Sequence, residues 1–409
     1  MKISDRLKAL GVTVGAQNRK AEKPRPKTEH PIEDALPGEV WHTPAGDAFV
    51  VETRYKADFQ MGSAKIRPAA SLEMVAAYTG APQLADLPIE RFAFMDTETT
   101  GLGLGVGVYT FVVGIGRFEG EHFRLAQFFL RHPAEEAAQL AAIEAFLAPC
   151  TAWVSFNGKA FDLPLLHNRY TLHGQPSPLA DAPHIDLLHL ARRLWKARLP
   201  SRTLSDLEHF ILGASRAQAD IPGWMAPELY REYLHTGDAR PLLGVFYHNE
   251  IDVLSLAALL SHIADLLADP LEIPVEHGLD LLAIGKLYAD LGHRGLAAQI
   301  YRRGLRYDDL QSEAYWRAIR ELSFLHKKQG EIERACELWE QAAADGQIYA
   351  CVELAKVHEH RRRDYRTALR WTEQAIERIR DERVPAFERA RLLGELEHRQ
   401  ARLERKTKD

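Results

Sequence analysis

Acidic residues recur in this chain at places where a fold could gather them. The first is Asp96-Thr97-Glu98-Thr99-Thr100-Gly101, which continues the strand-like run Arg91-Phe92-Ala93-Phe94-Met95. Side chains alternate along a strand, so positions 96 and 98 point the same way. Two carboxylates side by side repel unless something cationic lies between them. At a strand end the natural partner is a divalent metal, and hard oxygen ligands in an open site suit Mg²⁺ or Mn²⁺. Taken alone the fragment is a weak signal, because acids at strand ends often simply face water.

The second segment is Asn157-Gly158-Lys159-Ala160-Phe161-Asp162, directly after the apolar run Ala152-Trp153-Val154-Ser155-Phe156. Asn-Gly makes a turn, and Asp162 begins the next helix. An N-cap would account for one Asp here, but not for an acid-bearing strand end earlier in the same domain. The third segment is Tyr247-His248-Asn249-Glu250-Ile251-Asp252 on an expected helix. His248 and Asp252 are one turn apart and share a face. Tyr247 is rotated away by about 100°. An imidazole can accept a proton near neutral pH, so His248 is the candidate base and Tyr247 is expected to pack. Lys159 could meet a phosphate, or simply face solvent. Asp186 reads as a helix cap rather than a ligand. The stretch Arg192, Arg193, Lys196, Arg198 and Arg202, with Trp195 inside it, could receive a single nucleic-acid strand by charge and stacking, or form a solvated helix face.

These groups have to be positioned by a chain of 409 residues, enough for two or three domains. With 46% hydrophobic and 27% charged residues, most of it should fold. A net charge of −5 excludes a protein coated in Lys and Arg to grip duplex DNA. Any contact with nucleic acid must then be local, helped by bound cations. Cys150, Cys336 and Cys351 form no C-x-x-C pair and no disulfide framework. Reduced thiols, an N-terminus without a signal-peptide core and no long apolar run lead us to expect a cytoplasmic protein with no membrane partner.

Residues 1–36 read as a flexible basic arm and 37–89 as an accessory segment. Residues 90–270 carry the acids. There, β-rich runs meet at Glu119-Gly120 in a hairpin, and helices and strands then alternate. This describes an α+β ribonuclease-H-like domain, a mixed sheet flanked by helices. The five glycines from 101 to 116 lack the setting of a dinucleotide site. From 271 to 409 only helices are expected. Gly285, Tyr288, Gly292, Ala297, Tyr301 and Gly304, then Gly330, Ala335, Trp339 and Ala342, then Leu354, Ala355, Tyr365 and Ala368, fit a tetratricopeptide-type template. This all-α repeat region, ending in a charged helix, is expected to fold as a separate unit and to offer a surface to a protein partner.

Together the three acidic segments resemble the three exonuclease motifs of the DEDD family. The first is similar to the DnaQ-type proofreading motif, the second to that of family B DNA polymerases. With the repeats added, the chain resembles the bacterial YprB-like group over most of residues 37–370. The resemblance implies a metal-dependent 3′→5′ exonuclease acting on DNA or RNA, on a single strand or a 3′ end, with two divalent cations, Mg²⁺ or Mn²⁺. Asp96, Glu98, Asp162 and Asp252 would hold the metals, and His248 would complete the catalytic set. Two cations would flank the scissile phosphate and stabilise the attacking and leaving oxygens. The sequence departs from the family at the base. The family places Tyr with three intervening residues before the last Asp, or His with four; here His248 has three and Tyr247 four. That exchange motivates one alternative, a nucleic-acid-binding module of weak activity. A second alternative is a scaffold acting through its repeats.

Overall fold

The computed structural model describes residues 28–101, 103, 105, 107–216, 220–380 and 386–408. One mixed sheet organises the first two-thirds of the chain. Its strands are β1 (Gly38–Thr43), β2 (Gly46–Lys56), β5 (Phe92–Thr99), β6 (Thr110–Glu119), β7 (His122–Phe129), β8 (Ala152–Ser155) and β9 (His184–Asp186), and a small separate hairpin holds β3 (Gln60–Met61) and β4 (Ala64–Lys65). The order across the sheet is β1-β2-β7-β6-β5-β8-β9. β5, β6 and β7 pair antiparallel, whereas β8 and β9 run parallel to β5. The parallel strands therefore end on one edge, the place where open α/β sheets gather their functional groups.

Both faces of the sheet are covered, and the alternation along β5 shows why. Phe92 and Phe94 enter one core, which also holds Val253, Leu256 and Leu260 of a long helix. Ala93 and Met95 enter the other, with Leu140, Ile143, Leu163 and Leu166. Each leucine so buried is worth about 1.5–3 kcal/mol. The helices are α1 (Glu73–Thr79), α2 (Glu136–Leu147), α3 (Asp162–Leu172), α4 (Leu187–Trp195), α5 (Ala226–Thr236) and α6 (Leu243–Ala268). α2 and α3 lie on one face. α1, α4 and α6 lie on the other. The stretch Arg240–Ala268 is long and apolar enough to cross a membrane, contrary to the sequence expectation, but 72% of its apolar window is buried inside the fold. It is the core helix.

An all-helical region follows: α7 (Gly278–Asp290), α8 (Arg294–Gly304), α9 (Ser312–Gln329), α10 (Ile332–Ala344), α11 (Ile348–Val357), α12 (Tyr365–Ile379) and α13 (Ala386–Lys406). Small residues sit where helices meet: a Cβ on Gly285 would lie 3.2 Å from the Tyr301 ring. The charged α13 is anchored by Arg399 and Arg402, which both donate to the buried Glu359.

Three expectations about organisation change. Residues 38–56 are not accessory. β2 pairs with β7 over eight residues and β1 extends that edge, so the segment is part of the sheet. The end of the expected basic arm is not loose either. Ile32 is 1% exposed among Phe111 and Tyr230, and Arg131 donates to Glu33. The basic residues 19–27 lie outside the described part. Finally, the helical region is not separate at its start. Leu281, Leu287 and Ile300 share one continuous core with Leu190, Leu194 and Leu254, because α7 packs on α4.

Candidate active site at the end of the parallel strands

Strand alternation sends Asp96 and Glu98 to the α6 side of the sheet, beyond Phe92 and Phe94. There α6 presents His248, Asn249, Asp252 and Ser255. Asn249 is fully buried, and its amide orientation is fixed by its neighbours. Gln127 Nε2 donates to its Oδ1 at 3.0 Å, so its Nδ2 donates to Asp96 Oδ2 at 2.9 Å. The close approach is possible because the facing residue on β6 is glycine. A Cβ on Gly114 would lie 2.2 Å from Asn249 Oδ1. Sequence reading missed Asn249, although it stands between His248 and Asp252.

Asp162 arrives from the other side. α3 packs on the opposite face, and there Asp162, its first residue, accepts from the hydroxyl of Thr97, whose side chain alternates with those of Asp96 and Glu98. The turn before it is set by Asn157, at φ 65°, and by Gly158, where a Cβ would lie 2.4 Å from Ser155 Oγ and 3.2 Å from Asp162 Oδ2. Asp186 holds this turn. One oxygen accepts from Asn157 N at 2.7 Å and caps α4 through Leu188 N, and the other accepts from Lys159 N at 3.2 Å. That is the cap role expected for Asp186.

The acids feel one another. Burial holds the Asp96 and Glu98 carboxyls well above the ordinary range, and the charges of Asp252 and Asp162 push them further up. Burial also raises Asp162, against the lowering hydrogen bond from Thr97. It raises Asp252 too, against the pull of Arg216. The four carboxylates thus share one electrostatic neighbourhood whose excess negative charge Arg216 offsets only in part. A bound cation would relieve it, and the donor set is all hard oxygen, so these residues fit divalent Mg²⁺ or Mn²⁺. Among the described residues, however, no three His, Cys, Asp or Glu side chains already stand in a metal-ligand arrangement. Asp162 is turned onto Thr97 and Asp252 onto Arg216.

Arg216 is the second residue that sequence reading missed, and it brings Glu208 and Asp220 with it. Its guanidinium donates to Glu208 at 2.6 Å and 2.7 Å and to Asp252, and it lies 3.4 Å from Asp220. Burial opposes its charge, but Glu208 and Asp252 more than offset this. Ser255 Oγ lies 2.6 Å from Glu208 Oε1, fastening the cluster to α6. His248 stands where helical spacing puts it. Its Nε2 is 3.7 Å from Asp252 Oδ2, and its Nδ1 is 2.8 Å from Asp220 Oδ1. Tyr247 lies on another side of α6, toward Tyr55, whose phenol is raised by burial and by Glu250, to which its hydroxyl donates at 2.6 Å. His248, Asp252, Arg216, Asp220 and Ser205 line an open cavity of about 440 Å³.

Of the two readings of the basic stretch on and after α4, the stacking one is not met. Trp195 is 1% exposed and belongs to the core. Arg193 pairs with Asp290, Arg198 with Asp280, and Arg202 donates to the carbonyls of Leu199 and Pro200.

A family model described as RNase_H superfamily matches residues 93–264, the span that contains β5, α3 and the site-bearing half of α6. The chain carries an RNase H superfamily domain. It is also 35% identical over 290 residues to Uncharacterized protein YprB of Bacillus subtilis (strain 168), covering 69% of this chain and 68% of that one. The superfamily domain points to nuclease-type activity on nucleic acid, and RNase H-like nucleases typically use divalent metals.

Proposed function

We propose that the protein is a metal-dependent 3′→5′ exonuclease of the DEDD type. The observation that carries this reading is that Asn249 of α6 bonds Asp96, and Thr97, between Asp96 and Glu98, bonds Asp162, so that acids of β5, α3 and α6 meet at the end of the parallel strands. Their order along the chain matches the three exonuclease motifs. Asp96, Glu98 and Asp252 would hold one cation, and Asp96 with Asp162 would face a second. When bound, the cations supply positive charge to the scissile phosphate and to the oxygens that attack and leave.

The chain's own residues do the rest. Asn249 holds the Asp96 carboxylate in place. Asp252 must turn from Arg216 toward the cation, and Arg216 keeps Glu208 as its buried partner. His248 accepts the proton of the attacking water at Nε2. Support for an unpaired substrate end comes from two exposed aromatics: Phe161, 53% exposed beside Asp162, and Trp224, 80% exposed beside Gly223 at the cavity rim. Such rings stack on bases of any sequence. The helical region would supply a tetratricopeptide-type surface for a protein partner.

Titration with Mn²⁺ tests the donor set. Binding to the parent protein that weakens in Asp252→Asn supports it, and equal binding by both removes Asp252 from it. One observation favours a second reading, a nucleic-acid-binding module without turnover. Arg216 already neutralises part of the acidic cluster. That reading predicts oligonucleotide binding that is indifferent to Mn²⁺.

A further inference from the structure

His248 Nδ1 has two neighbours that cannot both bond to it. Asp220 Oδ1 lies at 2.8 Å and the Arg216 guanidinium nitrogen at 3.0 Å. An ionised Asp only accepts and an Arg only donates. If Nδ1 carries the hydrogen, it donates to Asp220, and Nε2 keeps a lone pair. If Nδ1 is bare, it accepts from Arg216, and the hydrogen sits on Nε2.

The surroundings favour the first arrangement. Arg216 has other acceptors, namely Glu208, Asp252 and the second oxygen of Asp220 at 3.4 Å. Asp220 Oδ1 would instead face a lone pair at 2.8 Å if Nδ1 were bare. The other nitrogen has Asp252 Oδ2 as a neighbour, but at 3.7 Å, beyond hydrogen-bond distance. A Cβ on Gly223 would lie 3.3 Å from Nε2, so the absence of a side chain there leaves that edge of the ring open toward Asp252 and the cavity.

We propose that Asp220 is the positioning residue of the site. It holds the hydrogen of His248 on Nδ1 and so presents Nε2, 3.7 Å from Asp252, as the proton acceptor. This rests on reading His248 as the base. Nothing in the sequence pointed to Asp220, 28 residues away. The tautomer of a functional His is set by what its other nitrogen bonds. Removing Asp220 should hand Nδ1 to Arg216 and move the hydrogen to Nε2, where the ring can no longer accept a proton.

The test joins a spectroscopic readout to kinetics. The full chain is labelled with ¹⁵N at histidine rings, and the His248 signals are identified by their loss in His248→Gln. The parent should show the hydrogen on Nδ1, and Asp220→Ala should show it on Nε2. With a single-stranded oligonucleotide and Mg²⁺, kcat of Asp220→Ala should fall by about 10–100-fold, with KM changed by less than about threefold. Asp220→Asn preserves the shape and can still accept weakly, so its kcat should fall between the two. An unchanged tautomer, or full kcat in both variants of an active parent, overturns the proposal. If the parent itself does not hydrolyse the oligonucleotide, the functional reading fails, and the ring signals alone decide the role of Asp220.

Discussion

Asn249 reaches from α6 to β5 and places its Nδ2 2.9 Å from Asp96 Oδ2. The same amide accepts from Gln127 Nε2, which also donates to the Phe246 carbonyl. A buried network of this kind fixes one carboxylate orientation only while every member is satisfied. Asn249→Ala should therefore cost about 1–3 kcal/mol in chemical denaturation, from the lost buried bonds to Gln127 and Asp96. It should also lower kcat by about 10–100-fold, the usual effect of losing a residue that orients a ligand. Full activity with lowered stability would make Asn249 a packing residue only.

The raised carboxyls give the stability a pH dependence. Asp96, Glu98, Asp162 and Asp252 all sit above their ordinary values of 3.8 and 4.5. As pH rises past those ordinary values, the unfolded chain ionises these groups while the folded one still holds their protons. The folded state then binds more protons, and stability falls with rising pH. A cation among the carboxylates removes the penalty. The gap in Tm between Mg²⁺ and EDTA should therefore widen as pH rises from about 5 toward neutrality. A gap that is absent, or constant across that range, would show that the acids are not relieved by the metal.

Helical geometry separates His248 from Tyr247. α6 is regular through this segment, and His248, one turn before Asp252, lies against it. His248→Ala should lose about 10²–10⁴-fold in rate while still binding Mn²⁺. Tyr247→Phe should stay close to the parent. A dead Tyr247→Phe beside a healthy His248→Ala would give the proton-accepting role to the tyrosine.

Trp224 and Phe161 bear on the substrate. Stacking on an aromatic side chain contributes about 1–3 kcal/mol per base. Trp224→Ala should therefore raise KM for a single-stranded oligonucleotide by about fivefold or more, and Trp224→Phe by much less. The effect should vanish with an oligonucleotide that is abasic at its end. An equal loss on the abasic substrate would mean that Trp224 does not meet bases.

The sequence made some of this legible and hid the rest for physical reasons. Local signals served well. Strand alternation paired Asp96 with Glu98, Asn-Gly marked the turn before Asp162, and helical period put His248 with Asp252. Non-local relations were not legible. β2 is an eleven-residue strand, but its partner β7 lies about 70 residues on, so Gly46–Lys56 read as fragments beside the domain. Glu208 begins a short π-helical turn and Arg216 and Asp220 lie beyond it outside regular structure, and only the fold brings them to α6. Trp195 reads as an aromatic among arginines. Its burial depends on α6 and α7, elements that contribute nothing to its local pattern.

The central claim is stepwise, metal-dependent hydrolysis from a 3′ end at the carboxylate cluster. Oligonucleotides of DNA and RNA, labelled at either end, should be incubated with the parent and with Asp96→Asn in Mg²⁺, Mn²⁺ or EDTA. We expect the 5′ label to step down a ladder and the 3′ label to leave at once as a mononucleotide, only with metal. Asp96→Asn should be inactive yet, without metal, at least as stable as the parent, because one repelling charge is gone. Products that shorten from the 5′ end, or turnover undiminished in Asp96→Asn or in EDTA, would contradict the account.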